Sequence, residues 1–190
     1  MTLAVCLTLD RTAERAVRGL WQRLEDAGIT TLLSHTHGRH VPHVTLASLR
    51  SWDLDTVHRE LSLLPAPSPQ VVWFDALGIF RRSRCWLVPA PTSELLSHQE
   101  AVFETARRTG ADLHKHYRPG VWVPHLTLAP RLHLTDLPTV AGHVYDVLPL
   151  AATLSTMTLI DTSTGEQHPL AGRDGAPDCQ TMPPGETMAP

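Results

Sequence analysis

The chain has few cysteines and no long hydrophobic run, and these absences exclude several classes of protein. Cys6, Cys85 and Cys179 form an odd set that lacks the spacing of a thiolate zinc site or a disulfide scaffold. No apolar stretch approaches the roughly 18 residues that span a bilayer. The first ten residues lack the basic start and the cleavage site of a secretory signal. We therefore expect a cytoplasmic protein that does not enter a membrane.

An excess of basic charge is also missing. The formal net charge is -3 at pH 7, which does not favour extensive binding of nucleic acid through a basic surface. An RNA end or a nucleotide has to bind locally in a cleft, and DNA is not expected as a partner. Hydrophobic residues make up 42% of the 190 residues, an ordinary globular balance. A monomer is the default expectation for the oligomeric state.

One six-residue phrase occurs twice. The residues 42–47, PHVTLA, return 82 positions later as residues 124–129, PHLTLA. In a β-strand, residues two apart point to the same face, so each histidine shares a face with the threonine that follows it. Two such strands side by side would direct two imidazoles and two hydroxyls into one cleft. This arrangement favours acid–base chemistry on a small anion.

The predicted elements alternate between short apolar strands and amphipathic helices, which is typical of a mixed α and β fold. Strands are expected at 3–9, 29–34, 42–49, 70–80, 84–89, 121–129, 151–161 and 167–171, and helices at 11–27, 53–64, 93–109 and 136–147. Short connections favour antiparallel pairing. Residues 1–172 are expected to form one domain whose halves join near the prolines of 65–69, and 173–190 a disordered tail.

A single His-x-Thr in an apolar strand is more often a hydrogen-bonded structural feature than a catalytic one. Repetition of the fold alone explains the apolar Leu and Ala of both copies, but not the polar residues, because burying His and Thr costs free energy unless something binds them. The four residues His43, Thr45, His125 and Thr127 are therefore the predicted catalytic group.

With these residues the chain resembles the two-histidine (2H) phosphoesterase superfamily, and most closely its 2′-5′ RNA ligase and cyclic phosphodiesterase branch. The resemblance includes LGIF at 77–80 followed by CWLV at 85–88, and it covers about residues 1–170. It implies an α+β fold of two lobes related by a pseudo-twofold axis. Two mostly antiparallel sheets would flank a central groove, with the helices outside and one motif strand in each lobe.

The resemblance also implies roles for individual residues. His43 would donate a proton and His125 would accept one, with the roles exchanged in the reverse reaction. The threonine hydroxyls would hydrogen-bond the non-bridging phosphate oxygens, where charge grows in the transition state. Neither a metal nor another cofactor is required for this scheme.

Predicted substrate-binding residues lie between and beside the two copies. Phe80 is placed as a stacking residue by the resemblance, although a core role at the strand end is equally compatible. Arg82, Arg84 and Arg118 are candidates for a second phosphate, against the alternative that arginines in turns are simply solvated. Tyr117 and Trp122 precede the second copy and are candidates for the groove lining; alternation favours a core position for Trp122.

The remaining histidines offer a different hypothesis. His35, His37 and His40, and the pair at 114 and 116, could present imidazoles to zinc, but they lie in polar loops, where solvated histidines are the simpler interpretation. The leading interpretation is a phosphodiesterase for a 2′,3′-cyclic phosphate or a 2′-5′ phosphodiester of RNA or nucleotides, with reverse ligation as an extension. The alternatives are a catalytically silent RNA- or nucleotide-binding module and a zinc hydrolase. The sequence does not identify the physiological substrate.

Overall fold

The structure, a computed structural model, describes residues 2–81 and 83–170. Within them the strands are β1 Leu3–Leu9, β2 His43–Ser51, β3 Gln70–Ile79, β4 Cys85–Pro89, β5 Asp112–Leu113, β6 Leu126–Ala129, β7 Leu150–Asp161 and β8 Gln167–Pro169. The α-helices are α1 Arg11–Asp26, α2 Leu54–Ser62, α3 Ser93–Arg108 and α4 Leu137–Tyr145, with short 3-10 helices at Lys115–Tyr117 and Leu134–Asp136. No helix in this part of the chain has the length and apolar character needed to cross a membrane.

The strands form one antiparallel sheet in the order β5-β2-β1-β7-β3-β4-β6, and β8 adds to β7. The predicted α+β class with antiparallel pairing is confirmed. The expectation of two separate sheets needs one correction, because the twelve-residue strand β7 serves both halves. Residues 154–161 of β7 pair with β1, while residues 150–154 pair with β3. The backbone ladder is therefore continuous between the two motif strands.

The helices begin and end where local chemistry requires. Asp10 caps α1, because its carboxylate accepts hydrogen bonds from the backbone N–H groups of Thr12 and Ala13. The second carboxylate oxygen of Asp10 accepts from the N–H of Thr153 in β7, at 2.7 Å, which ties the helix start to the sheet. The helix ends before Gly28, whose φ of +84° is a left-handed conformation that glycine adopts without strain.

The apolar residues of all four α-helices join alternate residues of the strands in one core. From β1, for example, Leu3, Val5 and Leu7 enter this core, while Ala4 and Cys6 on the opposite face join a small separate cluster with Ile160. The first face of the sheet is thus covered by helices. The second face is the one that carries the histidines and threonines of the repeat.

Two predicted strands differ from the structure. Residues 29–31 are irregular and residues 32–34 form a turn instead of a strand, although the N–H of Leu32 donates to the carbonyl of Leu128 in β6. The strand predicted at 121–129 is regular only at Leu126–Ala129, since Pro124 has no N–H to donate to a ladder. The division into lobes at 65–69 stays a prediction, and the predicted tail at 173–190 lies outside the described residues.

Candidate active site

The first copy of the repeat contains a break in strand register. Along the β1–β2 ladder, Thr45 lies opposite Cys6 and Ala47 lies opposite Val5, so Leu46 has no partner of its own. Such a bulge inserts one extra residue and shifts the alternation of side chains. Leu46 and Ala47 can therefore both enter the core, where each is 0% exposed.

The second copy contains the same break at the equivalent position. On the β4–β6 ladder, Thr127 lies opposite Trp86 and Ala129 opposite Cys85, which leaves Leu128 without a partner. Leu128 and Ala129 are again both fully buried. The repeated Leu-Ala is thus explained by packing at a bulge, whereas the His and Thr face the other side of the sheet.

Both imidazoles are held by the same local hydrogen bond. His43 Nδ1 lies 2.7 Å from the carbonyl oxygen of Val41, and His125 Nδ1 lies 2.8 Å from that of Val123. Because a carbonyl can only accept, Nδ1 carries the hydrogen and donates it in each ring. In the neutral ring Nε2 therefore has the free lone pair. Each histidine presents a nitrogen that can take up or release a proton.

This local bond shows that the repeat is one residue longer than the sequence comparison indicated. Val41 and Val123 precede the prolines in both copies. Proline restricts the residue before it to extended conformations and fixes its own φ. The Val-Pro-His segment therefore returns the valine carbonyl to the histidine ring in the same way on each strand.

The fold brings the two copies together. The indole N–H of Trp122, three residues before His125, donates to the carbonyl of Thr45 at 3.0 Å. A positive charge on His43 also contributes to lowering the pKa of His125. Tyr117 bridges the two sides, because its hydroxyl is hydrogen-bonded to Thr45 and its ring centroid lies 6.5 Å from that of His125.

His125 lies in an aromatic environment. The ring of Phe80 stacks on that of Trp86 with centroids 4.8 Å apart, and both meet His125 edge-on at 5.0 and 5.8 Å. Burial lowers the pKa of His125 to about 4, assisted by the charges of Arg84 and His43 and opposed by the bond to the carbonyl of residue 123. The free protein therefore holds this imidazole neutral at pH 7.

The position of Trp86 depends on Gly78. A Cβ atom at Gly78 would lie 2.5 Å from atoms of the Trp86 ring, which is far inside van der Waals contact. The indole ring thus lies directly over the backbone of β3, a place available because residue 78 has no side chain. This explains the glycine in the LGIF segment in physical terms.

His43 has a different environment. Burial lowers its pKa, and the charge of Arg84 lowers it further, while the bond to the Val41 carbonyl acts in the opposite direction. Arg84 is exposed at the start of β4, and its charge also acts on His125 and Tyr117. One guanidinium therefore lies within electrostatic range of both imidazoles, where it can attract an anionic substrate.

The hydroxyl of Thr45 is more enclosed than that of Thr127. Thr45 is 8% exposed, and its Oγ1 lies 3.7 Å from the Cys6 sulfur and bonds the hydroxyl of Tyr117. Burial raises the pKa of Tyr117 to about 12, so the phenol stays protonated and able to donate. Thr127 is only partly buried.

Gln99 is a site residue that the sequence analysis missed. Its side-chain N–H groups donate to the carbonyl of Leu46 at 3.1 Å, at the bulge, and to the carbonyl of Tyr117 at 2.7 Å. It is only 2% exposed and lies on the buried face of α3. A signal was present in the sequence: Gln99 follows Leu95 by four residues and precedes Phe103 by four, which places a polar side chain on an apolar helix face.

The structure places the predicted substrate-binding residues as follows. Phe80 and Tyr117 lie beside His125, and Phe80 stacks on Trp86; their substrate-binding roles stay predictions. Arg82 lies outside the described residues. Trp122 is in the core, as alternation favoured, and additionally hydrogen-bonds the first motif strand.

The histidine-rich loop before β2 forms a cluster of rings. The His37 and His40 centroids are 4.1 Å apart, and those of His35 and His40 are 6.0 Å apart. Across residues 2–81 and 83–170, no group of three or more His, Cys, Asp or Glu side chains has an arrangement that could hold a metal ion. The His35 and His40 rings are stacked, and the His37 ring is tilted against that of His40.

Comparison with known proteins identifies the family. Residues 2–166 match the model of the 2′-5′ RNA ligase superfamily. The chain belongs to this superfamily, as the repeated motif indicated, and hence to the two-histidine phosphoesterases. The family consists of phosphoesterases and ligases, so the chain is placed among enzymes of this general kind. A search of curated proteins found no match.

Solved structures show the same fold at low sequence identity. Escherichia coli LigT in complex with NADP+ is 18% identical, with a TM-score of 0.58 and coverage of 88% of this chain and 93% of LigT. LigT in complex with 3′-AMP is 16% identical with a TM-score of 0.57, over 88% and 93% of the two chains. The protein TT0787 of Thermus thermophilus is 18% identical with a TM-score of 0.55, over 91% of this chain and 100% of TT0787.

Proposed function

We propose that this protein is a phosphodiesterase that opens a 2′,3′-cyclic phosphate or cleaves a 2′-5′ phosphodiester of RNA or a nucleotide. One observation carries the proposal: two imidazoles have Nδ1 fixed to the carbonyl two residues earlier and Nε2 free, and each is followed two positions later by a threonine. Nucleotide ligands fit this proposal, since LigT was solved with 3′-AMP, ATP and NADP+.

In the proposed reaction, His125 acts as the base and His43 as the acid. His125 Nε2 takes a proton from water, the water oxygen forms a bond to phosphorus, and the bond to one ribose oxygen breaks. His43 Nε2 gives its proton to that oxygen, leaving a phosphate monoester and a hydroxyl. The low pKa of His125 supports this assignment, because a base must be neutral before the reaction.

The acid must be protonated, and bound substrate provides the reason. A phosphate anion between the imidazoles favours their charged forms and raises the pKa of His43 from its lowered value in the free protein. Thr45 and Thr127 donate to the non-bridging oxygens, where negative charge increases in the transition state. In the ligase reaction, the 5′-hydroxyl of a second RNA end attacks the phosphorus of the cyclic phosphate in place of water. The 3′-oxygen leaves, and a 2′-5′ linkage forms.

The test is hydrolysis of nucleoside 2′,3′-cyclic phosphates and 2′-5′ dinucleotides, with and without a chelator, with product regiochemistry read by chromatography. Turnover unaffected by the chelator, with one regioisomer formed, is the expected result. Nucleotide binding without turnover in either condition would establish the silent binding module instead. Loss of activity with the chelator and recovery with zinc would establish the zinc hydrolase.

A further inference from the structure

A cavity of about 360 Å³ lies at the end of the second motif strand. It is bordered by the loop that follows α1, by His35, and by the segment from Pro130 to Asp136. Its size is within the range of small-ligand sites. Thr127 and Arg131 are four residues apart, which is at most about 13 Å of extended chain. The cavity is therefore within the reach of a nucleotide whose phosphorus lies at the two histidines.

Basic groups collect at this cavity. Arg131, His133 and His35 line it, against one acidic side chain, that of Asp136. Burial lowers the pKa of His35, and the charges of Arg131 and Arg84 lower it further, so this imidazole would contribute a hydrogen-bond donor while the positive charge comes from two guanidinium groups within electrostatic range of it.

The backbone explains why the two arginines come together. The N–H of Leu132 donates to the carbonyl of Ser83 at 2.8 Å, which joins the end of the second motif segment to the turn between β3 and β4. Arg131 directly precedes Leu132 in the sequence, and Arg84 directly follows Ser83. Considering residues 2–81 and 83–170 alone, neither arginine forms a salt bridge. Adjacent like charges without a carboxylate partner are stabilised by an anion.

We infer that the cavity formed around Arg131, His35 and His133 binds a second anionic group of the substrate, a phosphate or phosphodiester adjacent to the one that reacts. The charge of Arg84 acts on His35 at the cavity and on both motif imidazoles, so this residue would contribute to both sites. The inference rests on the proposed function and narrows its substrate class. Nucleotides that carry a further phosphate, or RNA ends with a neighbouring phosphodiester, are favoured over a nucleoside cyclic phosphate with a free 5′-hydroxyl.

The experiment compares kcat/KM for adenosine 2′,3′-cyclic phosphate with and without a 5′-phosphate. Wild type is expected to prefer the 5′-phosphorylated compound by tenfold or more, mostly through KM, and the preference should weaken at higher salt. Arg131→Gln should reduce the preference to less than threefold. His133→Gln should reduce the preference by a smaller factor.

Arg15→Gln is the matched control, since it removes the same charge from an exposed position on α1, thirteen residues before Gly28. It should keep the full preference. Equal kcat/KM for the two compounds in wild type would overturn the inference, as would a preference that persists in Arg131→Gln. Absence of turnover with both compounds and with a 2′-5′ dinucleotide would instead refute the proposed function, so the two failures are distinguishable.

Discussion

His125 lies against the rings of Phe80 and Trp86, whereas His43 lies within range of the imidazole of His40 in the polar loop before β2. The two copies nevertheless share the bulge and the bond from Nδ1 to the carbonyl two residues earlier. Local sequence therefore sets the orientation of each imidazole. The surroundings set its proton affinity, and these differ between the two halves.

A second difference concerns the carbonyl groups around each bulge. In the first copy, side chains bind them: Trp122 donates to Thr45 and Gln99 to Leu46. In the second copy, the backbone N–H of Leu32 donates to Leu128. The first half-site therefore depends on two specific side chains, and the second on the path of a loop.

Removing either imidazole gives the largest expected effect. His43→Ala and His125→Ala should each lower kcat by at least about two orders of magnitude, the usual scale for loss of acid–base catalysis. Steady-state kinetics on a cyclic nucleotide measures the loss, and His143→Ala on α4 is the control. Far-UV circular dichroism should show both variants folded. A variant that unfolds would indicate that the histidine is structural, and retained activity would remove it from the mechanism.

Gly78→Ala tests the aromatic environment of the second half alone. The new Cβ would push the Trp86 ring away from the backbone, at a cost of about 1–3 kcal/mol in the free energy of unfolding, typical of overpacking. The displaced ring should also change the pKa of His125, which NMR titration of the imidazole measures. Gly142→Ala on α4, where a Cβ meets nothing within 4 Å, is the control. Equal stability of the two variants would contradict the packing described for Trp86.

Acid should destabilise the fold through the buried imidazoles. The pKa of His125 is lowered from 6.5 to about 4, so below pH 6.5 the unfolded chain binds more protons than the folded one and stability falls. The free energy of unfolding is not reduced by His125 above pH 6.5. It decreases from there toward pH 4, and His125 accounts for a loss of about 2 kcal/mol at pH 5. Urea unfolding from pH 7.5 to 4.5 measures it, and His125→Gln should reduce the pH dependence. An unchanged slope in this variant would show that His125 is not the group that titrates.

A smaller loss of kcat than that of the histidine variants is expected for the residues that bind the first bulge. Trp122→Phe removes the side-chain donor from one carbonyl and Gln99→Leu from two, which costs about 1–3 kcal/mol in stability for each carbonyl. Because two of these carbonyls belong to Thr45 and Leu46, kcat should fall about tenfold (roughly 1.4 kcal/mol) while KM changes little. Trp52→Phe, at a partly buried tryptophan on the core, is the control. A loss of stability with unchanged kcat would reduce both residues to structural roles.

The sequence predicted the class of fold and the residues of the repeat because both depend on short-range patterns. A short apolar run identified β1, alternation identified β7, and β3 and β4 were predicted as two strands joined by a turn. Helical spacing identified all the described α-helices within a few residues. The segment 29–34 was predicted wrongly, since its apolar residues Ile29 and Leu32 enter the core from irregular chain and from a turn. The catalytic roles of the four motif residues stay predictions.

By itself, the sequence determined which imidazoles share a strand face with which hydroxyls, and how each ring is held, because these features arise within seven consecutive residues. The tertiary structure decided which distant groups meet them. Arg84 and Arg131 come together through a bond between Ser83 and Leu132, and Gln99 reaches a bulge 53 positions away. Such contacts follow from strand order and register, which single-strand periodicity does not encode.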